Sequence, residues 1–205
     1  MSNKIDNQNE KFSEKERMLL GELYSANDFQ LQEERKQTQK LLKRFNRLIP
    51  AQSKRRQKLI KQLFMKTGVI CSVYPPFYCD YGYNISVGEH FFANRNCLIL
   101  DVVSVSIGNN VMLGPHVMIL TATHPIDYEK RNKGFGLGKP VSIGDNVWIG
   151  AGAIINPGVH IGKNSIIGSG SVVTHDIPSN VIAAGNPCKV IRSSNTSELR
   201  RDMYR

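Results

Sequence analysis

Apolar and polar positions change their period once along the chain, near residue 67. Before that point apolar side chains recur at helical steps: Met18, Leu19, Leu23 and Tyr24, then Leu41, Leu42, Phe45 and Leu48, then Leu59, Ile60, Leu63 and Phe64. The spacing places each set on one face and predicts three short amphipathic helices, broken near Ser25–Asp28 and at Pro50. Dense Glu, Lys, Gln, Leu and Arg, all good helix formers, agree with it.

Beyond that point the step is six. Ile107, Leu113 and Ile119 are followed, after a gap, by Ile143, Ile149, Ile155, Ile161, Ile167 and Val173. The next residue is Gly at 108, 114, 144, 150, 162 and 168, with Asn156 as a near-equivalent. Four places after each aliphatic stands a small or β-branched residue: Val111, Val117, Thr123, Val147, Ala153, Val159, Ser165, Ser171 and Ile177. Positions two apart along a strand face the same way, so both members can point inward. The Gly or Asn is expected to take positive φ and turn the corner. Three such sides close a triangular coil, and coils bury their inner side chains only against one another. The pattern predicts an all-β solenoid, a parallel β-helix of hexapeptide repeats. A sandwich of alternating strands would show period two without a glycine every sixth residue.

Three parts follow: a helical segment over 1–66 that caps the solenoid, the solenoid over 67–192, and a tail over 193–205. Residues 1–12 and 193–205 carry no pattern and are expected to be disordered or loosely docked. The 24 residues between Ile119 and Ile143 are a multiple of six, but the stretch 121–140 breaks the repeat with charges, glycines and a His-Pro pair. A long loop ejected from a solenoid is a natural place for function.

Charge changes the picture in one respect. The net charge is +10, yet residues 1–66 hold 16 basic and 8 acidic side chains, and the remainder 11 and 9. The excess therefore belongs to the helices, where a solvated outer face accounts for it. No aromatic residues interleave with it as stacking platforms for nucleic acid. With 40% hydrophobic residues the chain can build a core, and no apolar run is long enough to span a bilayer. Cys71, Cys79, Cys97 and Cys188 form no Cys-x-x-Cys pair, and the polar N-terminus lacks a secretory apolar region. Reduced thiols and a cytoplasmic location are expected.

Several segments resemble the maltose and galactoside O-acetyltransferases, the maltose enzymes above all, within the hexapeptide-repeat acyltransferases. They are Gly21-Glu-Leu-Tyr24, Asp80-Tyr-Gly-Tyr-Asn84, Phe91-Phe-Ala-Asn94, Thr121-Ala-Thr-His-Pro-Ile-Asp127, Asn146-Val-Trp-Ile-Gly150, Ile155-Asn-Pro-Gly158 and Ala184-Gly-Asn-Pro187. The resemblance spans residues 14–192. It implies a left-handed β-helix and a homotrimer with active sites between subunits. It also implies acetyl-CoA as donor, a sugar hydroxyl as acceptor and no required metal. His124 falls on the catalytic histidine, and Asp80, Asn94 and Arg35 on acceptor positions. Ala151, Ser169, Thr174, His175, Lys189 and Arg192 fall on CoA positions, with outward-facing Trp148 walling the same cleft. Ala26 and Val102 replace acidic acceptor contacts of the galactoside enzymes, and Lys189 replaces an arginine, which keeps the charge but loses the fork.

The chemistry suits these residues. Acetyl transfer from a thioester to an alcohol needs the hydroxyl proton removed, and a neutral imidazole with pKa near ~6.5 can take it. By position alone His124 fits equally as a turn histidine capping local carbonyls. Asn94 and Asp80 offer directional hydrogen bonds to sugar hydroxyls, although a corner role for Asn94 and a strand-end cap for Asp80 are the ordinary alternatives. Lys189 and Arg192 could neutralise phosphates or simply be solvated, and Arg35 could be a helix-surface arginine. His90, His116 and His160 lie on repeat edges, where no metal-binding triplet can be assembled from the spacing. An antibiotic or other xenobiotic hydroxyl is a rival acceptor, and a metal-dependent or non-catalytic β-helix is the rival class.

Overall fold

The computed structural model describes residues 12–49 and 51–194. Pro50 and the expectations for residues 1–11 and 195–205 lie outside the described residues.

Three helices open the chain. α1 (Glu14–Leu19) starts at a capping box in which Ser13 and Glu16 satisfy each other's backbone N–H groups. It is shorter than the apolar spacing predicts. Gly21 takes φ +75° and ends it, and Tyr24–Ser25 becomes a strand instead. α2 (Phe29–Phe45) is capped by the Asp28 side chain on Leu31 N–H. α3 (Ser53–Leu63) has no side-chain cap at its start. Leu42, Phe45, Leu59, Ile60, Leu63 and Phe64 face one way and share a single apolar cluster with Cys71, Val73 and Phe77 of the first coil. The two longer helices thus pack on the beginning of the solenoid.

The solenoid has three faces of parallel strands. The first holds Ile85–Val87, Val105–Ile107, Val141–Ile143 and His160–Ile161. The second runs from Cys71–Val73 through Phe91–Ala93, Met112–Leu113, Trp148–Ile149 and Ile166–Ile167 to Val181–Ala184. Lys189–Ser193 folds back antiparallel on its far edge. The third comprises Phe77–Cys79, Cys97–Leu100, Met118–Leu120, Ile154–Ile155 and Val172–Val173. Inside, Val87, Ile107, Ile143 and Ile161 form one ladder, and Ile99, Ile119, Ile155 and Val173 another. None of these is more than 5% exposed. The residues four places on are buried too, except Thr123, which has left the coil.

The repeat glycines do something other than expected. Positive φ occurs three residues after the inward aliphatic, at His90, Asn96, Asn110, His116, Asn146, Gly152, Gly158, Asn164, Gly170 and Asn180. The glycine directly after the aliphatic is required by closeness instead. A Cβ on Gly150 would lie 2.5 Å from Ser169 N, and one on Gly162 would lie 2.4 Å from Ser179 N, both in the next coil. Asparagines at the true corner stack side chain on side chain, Asn110 to Asn146 (3.0 Å), Asn146 to Asn164 (2.9 Å) and Asn164 to Asn180 (2.8 Å).

Segment 121–140 leaves the coil as a hairpin. Ala122–Thr123 pairs antiparallel with Phe135–Gly138, and α4 (Tyr128–Asn132) lies between them. Tyr24–Ser25 adds a third strand to this sheet. First-face pairing then resumes with Ser106 opposite Ser142.

Candidate active site

The small antiparallel sheet carries the residues of interest. His124 directly follows Ala122–Thr123 and is exposed. Its Nδ1 lies 3.2 Å from the Phe135 carbonyl oxygen on the returning strand. A carbonyl can only accept, so Nδ1 carries the ring proton and the Nε2 lone pair is left free. The hairpin is braced beneath it by Arg131, whose Nη1 donates to the Pro125 (2.9 Å) and Ile126 (3.0 Å) carbonyls.

Tyr24–Ser25 ties the helical segment to that hairpin. Gly136 lies opposite Tyr24, where a Cβ would come within 3.1 Å of the ring, a tight approach that glycine eases. From α2, Arg35 donates to the Tyr81 hydroxyl through Nη1 and to the Ala26 carbonyl through Nη2 (2.7 Å). Asp80 lies within reach of the same charge: burial raises its carboxyl pKa, and Arg35 opposes that rise. Tyr24 and Tyr81 are likewise pushed up by burial, with Arg35 pulling back. Met18, Tyr24, Leu31, Tyr81 and Val102 form an apolar cluster under this polar group.

The loop carrying Asp80 and Tyr81 is organised by one carboxylate. Asp101 is fully buried and accepts from the N–H groups of Asp80 (3.0 Å), Tyr81 (2.9 Å) and Gly82 (2.6 Å). Burial pushes its pKa up to about 7, against those donors, which favour the ionised form.

Asp80 and Arg35 therefore share one neighbourhood with Tyr24, Ala26, Tyr81 and Val102, and the antiparallel sheet joins His124 to it. Asn94 stands elsewhere, just past Phe91–Ala93, with its Oδ1 accepting from Arg95 N–H (2.8 Å) and its φ not in the left-handed region. The residues matched to CoA lie along the later coils. Trp148 is 49% exposed on the second face, and Ala151 and Ser169 sit in adjacent coils, each one residue past a coil-contact glycine. Thr174 and His175 follow Val172–Val173 and bond each other at 2.9 Å. Lys189 and Arg192 are exposed on the terminal strand. Sequence reasoning passed over Tyr24, Tyr81 and Asp101, although both tyrosines lie in segments that carried the resemblance.

All four cysteines are free and buried, and burial pushes the Cys71 and Cys97 thiols up to about 11. Such thiols are poor nucleophiles near neutral pH. The three repeat-edge histidines occupy different places: His90 and His116 at left-handed corners, His160 in a strand beside Ser142.

Comparison with known proteins places the chain in a family. Residues 17–68 match the maltose acetyltransferase hexapeptide capping motif, and residues 140–175 match the bacterial transferase hexapeptide (six repeats). A maltose O-acetyltransferase from Clostridium difficile 630 is 52% identical with a TM-score of 0.88, over 90% of this chain and 98% of that one. A galactoside acetyltransferase solved in complex with coenzyme A is 43% identical with a TM-score of 0.87, over 92% of this chain and 94% of that one. The galactoside O-acetyltransferase of Escherichia coli (strain K12) is 45% identical over 88% of this chain and 89% of its own length. With a hexapeptide solenoid, helices packed on its first coil and a histidine-bearing hairpin ejected from its side, the chain belongs to the maltose and galactoside O-acetyltransferase family of hexapeptide-repeat acetyltransferases.

Proposed function

We propose that the protein transfers an acetyl group from acetyl-CoA to a hydroxyl of a sugar or sugar-like acceptor, with His124 as general base. The single observation behind the base is the Nδ1 contact to the Phe135 carbonyl, which leaves Nε2 free to accept a proton. In this reading the acceptor oxygen attacks the thioester carbonyl as its proton passes to Nε2. The new C–O bond forms, the C–S bond breaks, and the imidazolium returns the proton to the leaving thiolate. No acetyl-enzyme intervenes, in keeping with the buried, high-pKa thiols.

Arg35 and Asp80 orient the acceptor in this scheme, and Asn94, which stands apart from them in one chain, joins them from a neighbouring subunit. Ala26 and Val102 leave its pocket less acidic than that of the galactoside enzymes. Ala151, Ser169, Thr174, His175, Lys189, Arg192 and Trp148 line the donor cleft, a reading supported by the relative solved with coenzyme A. The cleft is completed by a neighbouring subunit of a homotrimer. Ile126, two residues past His124, is 98% exposed and Tyr128 is 63% exposed, apolar surface that a second copy would cover.

The test is release of free CoA thiol over a panel of sugar and antibiotic hydroxyls. On the best acceptor, His124→Ala should turn over about 10²–10⁴-fold more slowly, still bind acetyl-CoA and keep its assembly by light scattering. The pH profile of kcat/KM should lose its acidic limb. A folded variant with near wild-type turnover removes His124 from this role.

A further inference from the structure

Arg56 belongs to none of the machinery above, yet it is a buried cation whose Nη1 has no hydrogen-bond acceptor among the described residues. It is 8% exposed, and that nitrogen is sealed from solvent. The guanidinium carbon lies 4.7 Å from the centre of the Tyr74 ring. That stacking uses the face of the cation and supplies no acceptor to the Nη1 N–H groups at its edge. A buried donor in that state costs stability unless something supplies an acceptor.

The surroundings indicate what would. Arg56 borders a cavity of about 150 Å³, partly open to solvent, between the start of α3 and the strand Cys71–Val73. Ser53 and Lys54, the first two residues of the helix, line the same cavity. The N-terminus of this 11-residue helix has no side-chain cap and no acidic residue in its first turn. Gln52, at the cap position, turns back instead to accept from Ile49 N–H at 3.1 Å. The positive dipole end of a helix favours an anion, and since the Gln52 carbonyl takes the N–H groups of Arg55 (3.1 Å) and Arg56 (3.0 Å), an anion here would meet those of Ser53 and Lys54. Local charge points the same way, because no Asp or Glu occurs between Glu34 and Asp80, while twelve Lys and Arg do. Glu89, which adjoins this region, is engaged by the N–H groups of Val69 (2.9 Å) and Ile70 (3.2 Å).

We propose that this cavity is a binding site for a phosphate group, free or carried on a small ester, held by the edge of Arg56, by Lys54 and by the first N–H groups of α3. The cationic surroundings favour a multiply charged oxyanion over a single carboxylate. The occupant would bridge the helical segment to the first coil. Nothing in this site overlaps the acceptor or donor residues, so it stands apart from the proposed transfer reaction.

The experiment is calorimetric titration of the full-length protein with inorganic phosphate and, separately, glucose 6-phosphate, at constant ionic strength. Saturable binding of either is expected; a response to the ester alone assigns the source. Arg56→Met should weaken it about tenfold to a hundredfold, the worth of a charge-assisted hydrogen bond. Arg56→Lys should not restore it fully, because the fork is lost. Lys54 is exposed, so Lys54→Gln should fold regardless and should also weaken binding. No saturable binding to the wild-type protein overturns the proposal. So does affinity unchanged in Arg56→Met, which would place the anion in the acceptor or donor cleft. Should Arg56→Met fail to fold, unchanged affinity in Lys54→Gln is decisive against it.

Discussion

The late coils and the ejected hairpin are made of the same chain within fifty residues, and they obey different rules. From Val141 to Val173 each strand hydrogen-bonds in parallel to a strand of a neighbouring coil, and inward positions repeat without exception. Segment 121–140 and Tyr24–Ser25 pair antiparallel, bury little, and hold their side chains by polar contacts such as His124 to Phe135 and Arg131 to Pro125. The first region derives its stability from repetition. The second can place a reactive side chain because it is released from that repetition.

The sharpest way to break the contrast is to cut one side chain on each side of it. Ile155→Ala removes a fully buried rung and should destabilise by about 2–5 kcal/mol in urea unfolding. Leu137→Ala, on the half-buried hairpin strand, should cost less than half as much. Equal losses would mean that the hairpin is part of the core.

Asp101 lies where the two regimes meet, and it should respond to pH. Its folded-state pKa of about 7 exceeds the usual carboxylate value of about 3.9. Between those limits the folded protein keeps a proton that the unfolded chain has released. Its contribution to stability therefore falls as pH rises from about 4 to 7 and is level beyond. Asp101→Asn should flatten that part of the stability profile. It should also cost about 1–3 kcal/mol, because an amide turns donors toward the N–H groups of the 80–82 loop. An unchanged profile would show that the carboxylate is ionised throughout.

Two glycines of a single coil separate closeness from backbone conformation. Gly150→Asn forces a Cβ to within 2.5 Å of the next coil's backbone and should cost about 1–3 kcal/mol. Gly152→Asn has open space and a φ of +68°, the geometry Asn146 and Asn164 already adopt, and should be nearly neutral. The reverse ranking would restore the corner role that the sequence suggests for the glycine after each aliphatic.

The smallest effect belongs to the proposed donor cleft. Lys189→Ala should raise the acetyl-CoA KM about twofold to fivefold, since solvent-exposed charge pairing is worth roughly 0.2–1 kcal/mol. A larger rise would indicate that a neighbouring subunit buries the lysine.

Sequence by itself determined the solenoid, its inward ladders and the point where the chain leaves them. Those features arise from a period of six imposed on nearest-neighbour coils, and a local rule repeated nine times is visible in one dimension. It also brought His124, Asp80, Arg35 and Asn94 forward, through motifs rather than through spacing. Tertiary structure alone decided what the glycines are for, because contact with a coil eighteen residues away cannot be read from a local step. It alone turned Tyr24–Ser25 from helix into strand, because Gly21 ends α1 and the Phe135–Gly138 strand offers hydrogen bonds that local propensity does not foresee. It also gathered Arg35, Tyr81 and the buried Asp101 around one loop, residues brought together across up to sixty-six positions of chain by packing rather than by any pattern in their order.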